Sequence, residues 1–315
     1  MLPLAVSLWA AGFAHAQTQL EDHAHFGDGA ALIGDLSGSG RPWIAVGSPD
    51  HDAGAGESGA VWLHELDAAG EIVSTAKISA VDGGFGGTLP DGAGFGSDVT
   101  GLGDVDGDGT PDLAVAAEGL EALWVLLLDP DGTVHTEVRI AANQGGFTAF
   151  PEIGDDFASS IAGLGDLDGD GTPDLAVGEM GADDGVPGSG AVWILFLGSD
   201  GLVDEHAKIS NLFGGLPGGA GTLGVDEGFG YGLGRIDDVD GDGTDDLVVG
   251  ALGEDNNEGS VWVVMLETDG SVQAAQRIAE DEGGFVGPVG LWFAEDVAGI
   301  SDLDGDSVPE LAVGT

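Results

Sequence analysis

The nonapeptide DxDGDGxx[DE] occurs at Asp104–Asp112, Asp166–Asp174, Asp238–Asp246 and Asp302–Glu310, with Ser307 replacing the second glycine in the last copy, and every copy runs into an aliphatic stretch. Such a segment suits neither helix interior nor strand, because its glycines favour tight turns and its carboxylates repel one another. Acids at positions 1, 3, 5 and 9, with a main-chain carbonyl at 7, make an oxygen-only ligand set. That is the chemistry of Ca2+, which takes about 6–8 oxygens at about 2.3–2.6 Å. The candidate ligands are Asp104, Asp106, Asp108, Thr110 and Asp112, then Asp166, Asp168, Asp170, Thr172 and Asp174. The later copies offer Asp238, Asp240, Asp242, Thr244 and Asp246, then Asp302, Asp304, Asp306, Val308 and Glu310, the threonines and Val308 acting through their carbonyls. Four calcium sites are expected, the last weaker. A degraded copy beginning at Asp35 reads Ser37, Ser39, Arg41 and Trp43 at positions 3, 5, 7 and 9, and one carboxylate is too few to hold the ion. An EF-hand is excluded, since position 12 is Val115, Val177, Val249 or Val313 rather than a bidentate Glu.

Aspartates 35, 104, 166, 238 and 302 recur 62 to 72 residues apart, the scale of stacked supersecondary repeats. Each unit opens on a phenylalanine beside small residues, in His25-Phe26-Gly27, Gly94-Phe95-Gly96, Asp156-Phe157-Ala158, Gly228-Phe229-Gly230 and Trp292-Phe293-Ala294. After the Asp loop come an aliphatic run such as Leu175-Ala176-Val177, a strand carrying Trp62, Trp124, Trp193 or Trp262, a turn, and a last strand ending Lys77-Ile78, Arg139-Ile140, Lys208-Ile209 or Arg277-Ile278. Runs this short, bounded by Gly and Asp, read as four strands per unit and leave no room for an ordinary helix. The class is all-β. Val192–Leu197 is apolar at consecutive positions, which requires burial on both faces, so the sheets must stack face to face around an axis with the tryptophans between them.

These parts in this order resemble the FG-GAP repeat, the integrin-alpha-type β-propeller, and especially its exported bacterial members with a GGF insert between units. The insert stands at Gly83-Gly84-Phe85, Gly145-Gly146-Phe147 and Gly283-Gly284-Phe285, with Leu212-Phe213-Gly214-Gly215 as a variant. The resemblance covers Phe26 to Thr315, with repeats at about 25–80, 94–141, 156–210, 228–279 and 292–315. It implies four-stranded blades, four complete and a fifth partial, an incomplete ring for which further blades or domains are expected beyond Thr315. In such a blade the Asp loop joins strands one and two. The opposite rim then carries the long segments Ser48–Ser58, Glu179–Ser189 and Ala251–Glu258 and the GGF inserts, and the resemblance implies that partners bind there.

Net charge is −51, from 57 acidic and 6 basic residues, which argues against nucleic acid and anionic membrane surfaces as partners. There is no cysteine, so metal and cross-strand contacts must replace disulfides as fasteners. Residues 1–16 read as a signal peptide, with Leu2–Ala14 apolar and Ala14-His15-Ala16 supplying small residues at the cleavage point. No later apolar run reaches the roughly 18 residues of a membrane span, which places the chain as secreted or at the cell surface. The expected function is an exported calcium-binding adhesion or interaction module for an extracellular protein or glycan, the calcium being structural. The alternative is an accessory or catalytic domain of a secreted hydrolase. Against it, His23, His25, His51, His64, His135 and His206 are scattered and no GxSxG elbow occurs, so the chain reads as a non-enzyme.

Overall fold

The computed structural model describes residues 24–53, 56–219, 222–253, 259–286, 292–306 and 308–314; the leader expected over 1–16 lies outside them, as does Ser307. The first blade comprises β1 (Ala30–Gly34), β2 (Trp43–Ser48), β3 (Ala60–Leu66) and β4 (Ile72–Ser79). The second comprises β5 (Phe95–Gly103), β6 (Asp112–Ala117), β7 (Ala122–Leu128) and β8 (Val134–Ile140). The third comprises β9 (Phe157–Gly165), β10 (Asp174–Glu179), β11 (Ala191–Leu197) and β12 (Val203–Ile209). The fourth comprises β13 (Phe229–Ile236), β14 (Asp246–Ala251), β15 (Ser260–Leu266) and β16 (Val272–Ile278), and β17 (Val297–Ile300) with β18 (Glu310–Val313) begins a fifth. Strands follow chain order within every sheet and neighbours are antiparallel. This is a β-propeller of four blades and a partial fifth, as the repeat required.

Burial explains the unbroken apolar strands. Every residue of β7 and β11 is buried, because the blades on either side cover both faces. The first strands β1, β5, β9, β13 and β17 are innermost and line an axial channel of about 690 Å³. They approach backbone to backbone. A Cβ on Gly101 would lie 2.6 Å from the Leu32 carbonyl oxygen, and one on Gly163 would lie 2.6 Å from that of Gly101, so glycine is required where neighbouring blades converge on the axis.

The GGF insert closes the seam between blades. The Val134 N–H donates to the Gly83 carbonyl at 2.8 Å, Val203 to Gly145 at 2.9 Å and Val272 to Gly214 at 2.8 Å, so each insert pairs with the last strand of the following blade. In the first two inserts the phenylalanine enters the core beside that blade's tryptophan, and in the third Leu216 takes this place while Phe213 stays exposed. Phe147 is fully buried, edge-on to Trp193 at 5.0 Å between centroids and stacked on Phe157 at 5.2 Å. Gly146 holds φ +84°, where a side chain would strike the Val203 carbonyl at 2.1 Å. On the outer side, Lys77, Arg139 and Lys208 lie over Trp62, Trp124 and Trp193 at 5.3, 5.5 and 4.8 Å, contacts of about 0.5–2 kcal/mol each. In the fourth insert Phe285 meets Phe293 at 5.8 Å and remains 39% exposed.

Phe147→Ala is therefore expected to destabilise the protein by about 3–5 kcal/mol, and Phe285→Ala by at most about 1.5 kcal/mol. Urea unfolding of the two variants checks this, and equal losses would contradict the seam assignment.

Candidate metal centres

Each Asp loop joins the first and second strands of its blade, at one end of the propeller. Positive φ at Gly107 and Gly109, Gly169 and Gly171, and Gly241 and Gly243 curls the chain so that alternate side chains turn inward. The position-1 carboxylate caps the loop, with Asp104 accepting the Gly109 N–H at 2.9 Å, Asp166 that of Gly171 at 3.0 Å and Asp238 that of Gly243 at 2.9 Å. The position-5 aspartate accepts the N–H of position 7 in Thr110, Thr172, Thr244 and Val308 at 2.6, 2.7, 2.8 and 2.9 Å. These are Asx-type bonds, and they fix the carboxylates without a cation.

The fold then gathers the acids. Asp104, Asp106 and Asp108 form one group; Asp166, Asp168 and Asp174, Asp238, Asp240 and Asp246, and Asp302, Asp304 and Asp306 form the others, each residue offering an oxygen within 4.8 Å of its fellows. Asp112, Asp170, Asp242 and Glu310 fall outside these groupings, although the sequence pattern treats them as equivalents. The outlier is position 9 in the first and last of these loops and position 5 in the other two, and position 9 has a second task whether or not it joins the group. Asp112 accepts the Val105 N–H at 2.8 Å and the Leu128 N–H at 2.9 Å, tying the loop to the third strand, and Asp174 and Asp246 do the same through Leu167 and Leu197 and through Val239 and Leu266. Glu310 accepts the Leu303 N–H at 2.7 Å. The donor set is all oxygen and anionic, which fits a hard divalent cation.

Burial pushes the Asp112 carboxyl up to about 6, Asp174 to about 7 and Asp246 to about 6; two backbone N–H bonds pull each back, and neighbouring loop aspartates raise it again. An acid whose folded pKa lies above its unfolded value favours the fold while protonated. That contribution is complete below about pH 4 and is lost as pH rises through 6–7. The cation-free protein is accordingly expected to melt at progressively lower temperature from pH 4 to 7.5, by scanning calorimetry in chelator; a rising melting temperature would contradict the assignment.

The axial channel holds a polar group that the repeat pattern did not single out. Asp98 on β5 accepts the N–H of its neighbour Val99 and, at 2.8 Å, that of Ile161 on β9, bridging two inner strands; burial pushes its carboxyl up to about 7.

Comparison with known proteins agrees with this geometry. The FG-GAP repeat pattern matches residues 157–195 and 229–264. The chain carries FG-GAP repeats of the integrin-alpha kind. Each matched FG-GAP span runs from its opening phenylalanine, Phe157 or Phe229, through the Asp loop to the tryptophan strand. Integrin alpha-PS5 of Drosophila melanogaster is 37% identical over 158 residues, covering 48% of this chain and 14% of its own. Human integrin alpha-7 is 32% identical over 209 residues, covering 64% and 15%, and Cricetulus griseus integrin alpha-3 is 30% identical over 223 residues, covering 67% and 18%. The chain thus spans less than a fifth of the length of these relatives. Among solved structures, rhamnogalacturonan lyase YesW aligns over 92% of this chain and 55% of its own at 13% identity and TM-score 0.41, too loose a likeness to bear on activity. Among the described residues, no helix is long and apolar enough to cross a membrane.

Proposed function

We propose that the chain is an exported, calcium-stabilised propeller that binds a protein or glycan partner through the rim opposite its aspartate loops, as an adhesion or interaction module. The observation that carries this reading is where the exposed apolar side chains lie. Val81 is 69% exposed, Phe150 71%, Ile153 96%, Leu212 54%, Phe213 53%, Val225 62%, Val286 88% and Trp292 50%. All eight belong to links between the last strand of one blade and the first of the next, and those links leave at the end away from the Asp loops. Exposed hydrophobics on one rim mark interaction sites, and the links hold more of them than the aspartate-loop end, where Ile72, Val73, Leu202, Leu303 and Val308 are exposed. The aromatics among them suit either an apolar protein patch or the faces of sugar rings.

Calcium enters this reading as a fastener. Asp104, Asp106 and Asp108 and their counterparts would hold it, with the position-7 carbonyls and position-9 carboxylates completing the shell, and the ion would supply the charge neutralisation that lets the loops stay closed. Calcium is expected to raise the melting temperature at pH 7.5 by several degrees and to do so less at pH 4.5, where the position-9 acids are protonated; an unchanged melting temperature in chelator would remove the structural role.

For the partner, an array of extracellular matrix proteins and glycans probed with the full chain should show at least one bound feature. Phe150→Asp with Ile153→Asp should abolish that binding, whereas Leu202→Asp, on the aspartate-loop rim, should leave it intact. The reverse pattern would relocate the site and overturn the proposal.

A further inference from the structure

The first blade builds the same loop from different chemistry. Asp35 at position 1 accepts the Gly40 N–H at 2.6 Å, as its counterparts do in the other blades, and Gly38 and Gly40 hold φ of +66° and +78°. The Arg41 N–H at position 7 meets the Ser39 hydroxyl at 3.3 Å, where a position-5 aspartate serves elsewhere. The loop conformation is therefore retained while two of its carboxylates have become hydroxyls. Both hydroxyls reach a carboxylate from outside the loop, and Ser37 Oγ also meets Asp35 Oδ1 at 3.5 Å. Ser39 Oγ donates to Glu65 Oε1 at 2.7 Å and Ser37 Oγ to the same oxygen at 3.4 Å, and the Arg41 guanidinium lies 3.7 Å from it.

Glu65 comes from β3, is 8% exposed, and occupies the register that Leu127, Phe196 and Met265 fill in the other blades, three residues after the tryptophan. The remaining tie is rewired too. The N–H groups of Leu128, Leu197 and Leu266 go to the position-9 aspartate, but in this blade position 9 is the buried Trp43, which offers no acceptor side chain, and Leu66 donates instead to the Pro42 carbonyl at 2.9 Å.

We infer that the first loop is a metal-independent latch, in which Glu65 supplies the carboxylate from the neighbouring strand and is held by the Arg41 charge and by hydrogen bonds from the two serine hydroxyls, in place of the coordination a cation would give in the other blades. The donor set does not fit a calcium ion, because Glu65 already accepts from both hydroxyls and lies beside a guanidinium. The consequence is a division within one propeller. Chelation loosens the aspartate rim of the second to fourth blades and leaves the first closed, so the chain keeps a fixed end from which the rest re-forms when calcium returns. That consequence rests on the calcium reading of the other loops; the latch itself does not.

Hydrogen exchange on the full chain, in calcium and in chelator, with wild type, Glu65→Leu and Ser39→Ala, tests it. The amides of Ser39, Gly40 and Leu66 should exchange equally in both conditions in wild type. Glu65→Leu should speed exchange at Ser39 and Gly40 about tenfold or more, as expected for hydroxyls that lose a buried acceptor, and Ser39→Ala should do so less, with calcium rescuing neither. Faster wild-type exchange at these amides in chelator would overturn the inference, as would unchanged exchange in Glu65→Leu. Failure of the calcium reading shows separately, as chelator-insensitive exchange at Gly109, Gly171 and Gly243.

Discussion

Two like unit charges 4 Å apart repel by about 4 kcal/mol at an effective dielectric of 20, and each complete aspartate loop gathers three carboxylate oxygens within 4.8 Å. The rest of the blade makes that crowding unavoidable. The position-9 aspartate is pinned by two backbone donors from opposite sides, and positions 1 and 5 are pinned by the loop's own N–H groups. None of the acids can swing outward without breaking a bond that shapes the turn. The fold thus holds its loops in a geometry whose repulsion a cation relieves, while burial first and the neighbouring loop aspartates second raise the position-9 acids.

Placing that tension in the connection between first and second strands separates it from the opposite rim. The links there are tied at the inserts by one backbone bond to the next blade and present Phe150, Ile153 and Val286 to solvent. The aspartate loops and the exposed hydrophobics of the links consequently occupy opposite ends of one strand length, joined through blades whose middles are buried on both faces. One local contact joins them: the Gly83 carbonyl in the first link accepts the Val134 N–H, and the adjacent His135 lies 3.2 Å from Asp106 in the aspartate loop.

Much of this was legible in the chain because the repeat states the same solution five times. The phenylalanine openings, the Asp loops and the tryptophan strands fall where the spacing put them, and the GGF inserts sit between blades as the resemblance implied. What escaped was non-local. Nothing near Asp35 announces Glu65, since the signal is a charge at a register where the other blades carry Leu127, Phe196 and Met265, visible only once the third strands are superposed. The axial glycines escaped for a related reason: Gly101 and Gly163 look like ordinary strand weaknesses until neighbouring backbones are seen 2.6 Å from where a Cβ would be. The rim hydrophobics lie in irregular links, where periodicity carries no information. That Asp112 stands apart as a backbone acceptor while Asp174 and Asp246 both accept backbone N–H groups and join their clusters needed coordinates, because the nonapeptide writes all three as the same letter.

The six cationic side chains show how this charge balance is divided. Lys77, Arg139 and Lys208 lie over tryptophans, and Arg277 pairs across the strands with Trp262 in the same register. The other two, Arg41 and Arg235, hold Glu65 and Asp245. Lys208 joins the almost fully buried Glu179 at 2.8 Å, which in turn accepts the Trp193 indole N–H at 2.8 Å. Against 57 acids, Lys77, Arg139, Lys208 and Arg277 are thus placed along the outer strand pair, where packing needs an apolar stem as well as a charge, while Arg41 lies in the first loop and Arg235 on the innermost strand β13. The loops receive cationic groups unevenly: in blade four Arg235 pairs with Asp245 at loop position 8, and in blade two the His135 imidazole lies 3.2 Å from Asp106 at position 3. In blade one, whose loop carries serines at positions 3 and 5, Arg41 and the Glu65 carboxylate from β3 close it.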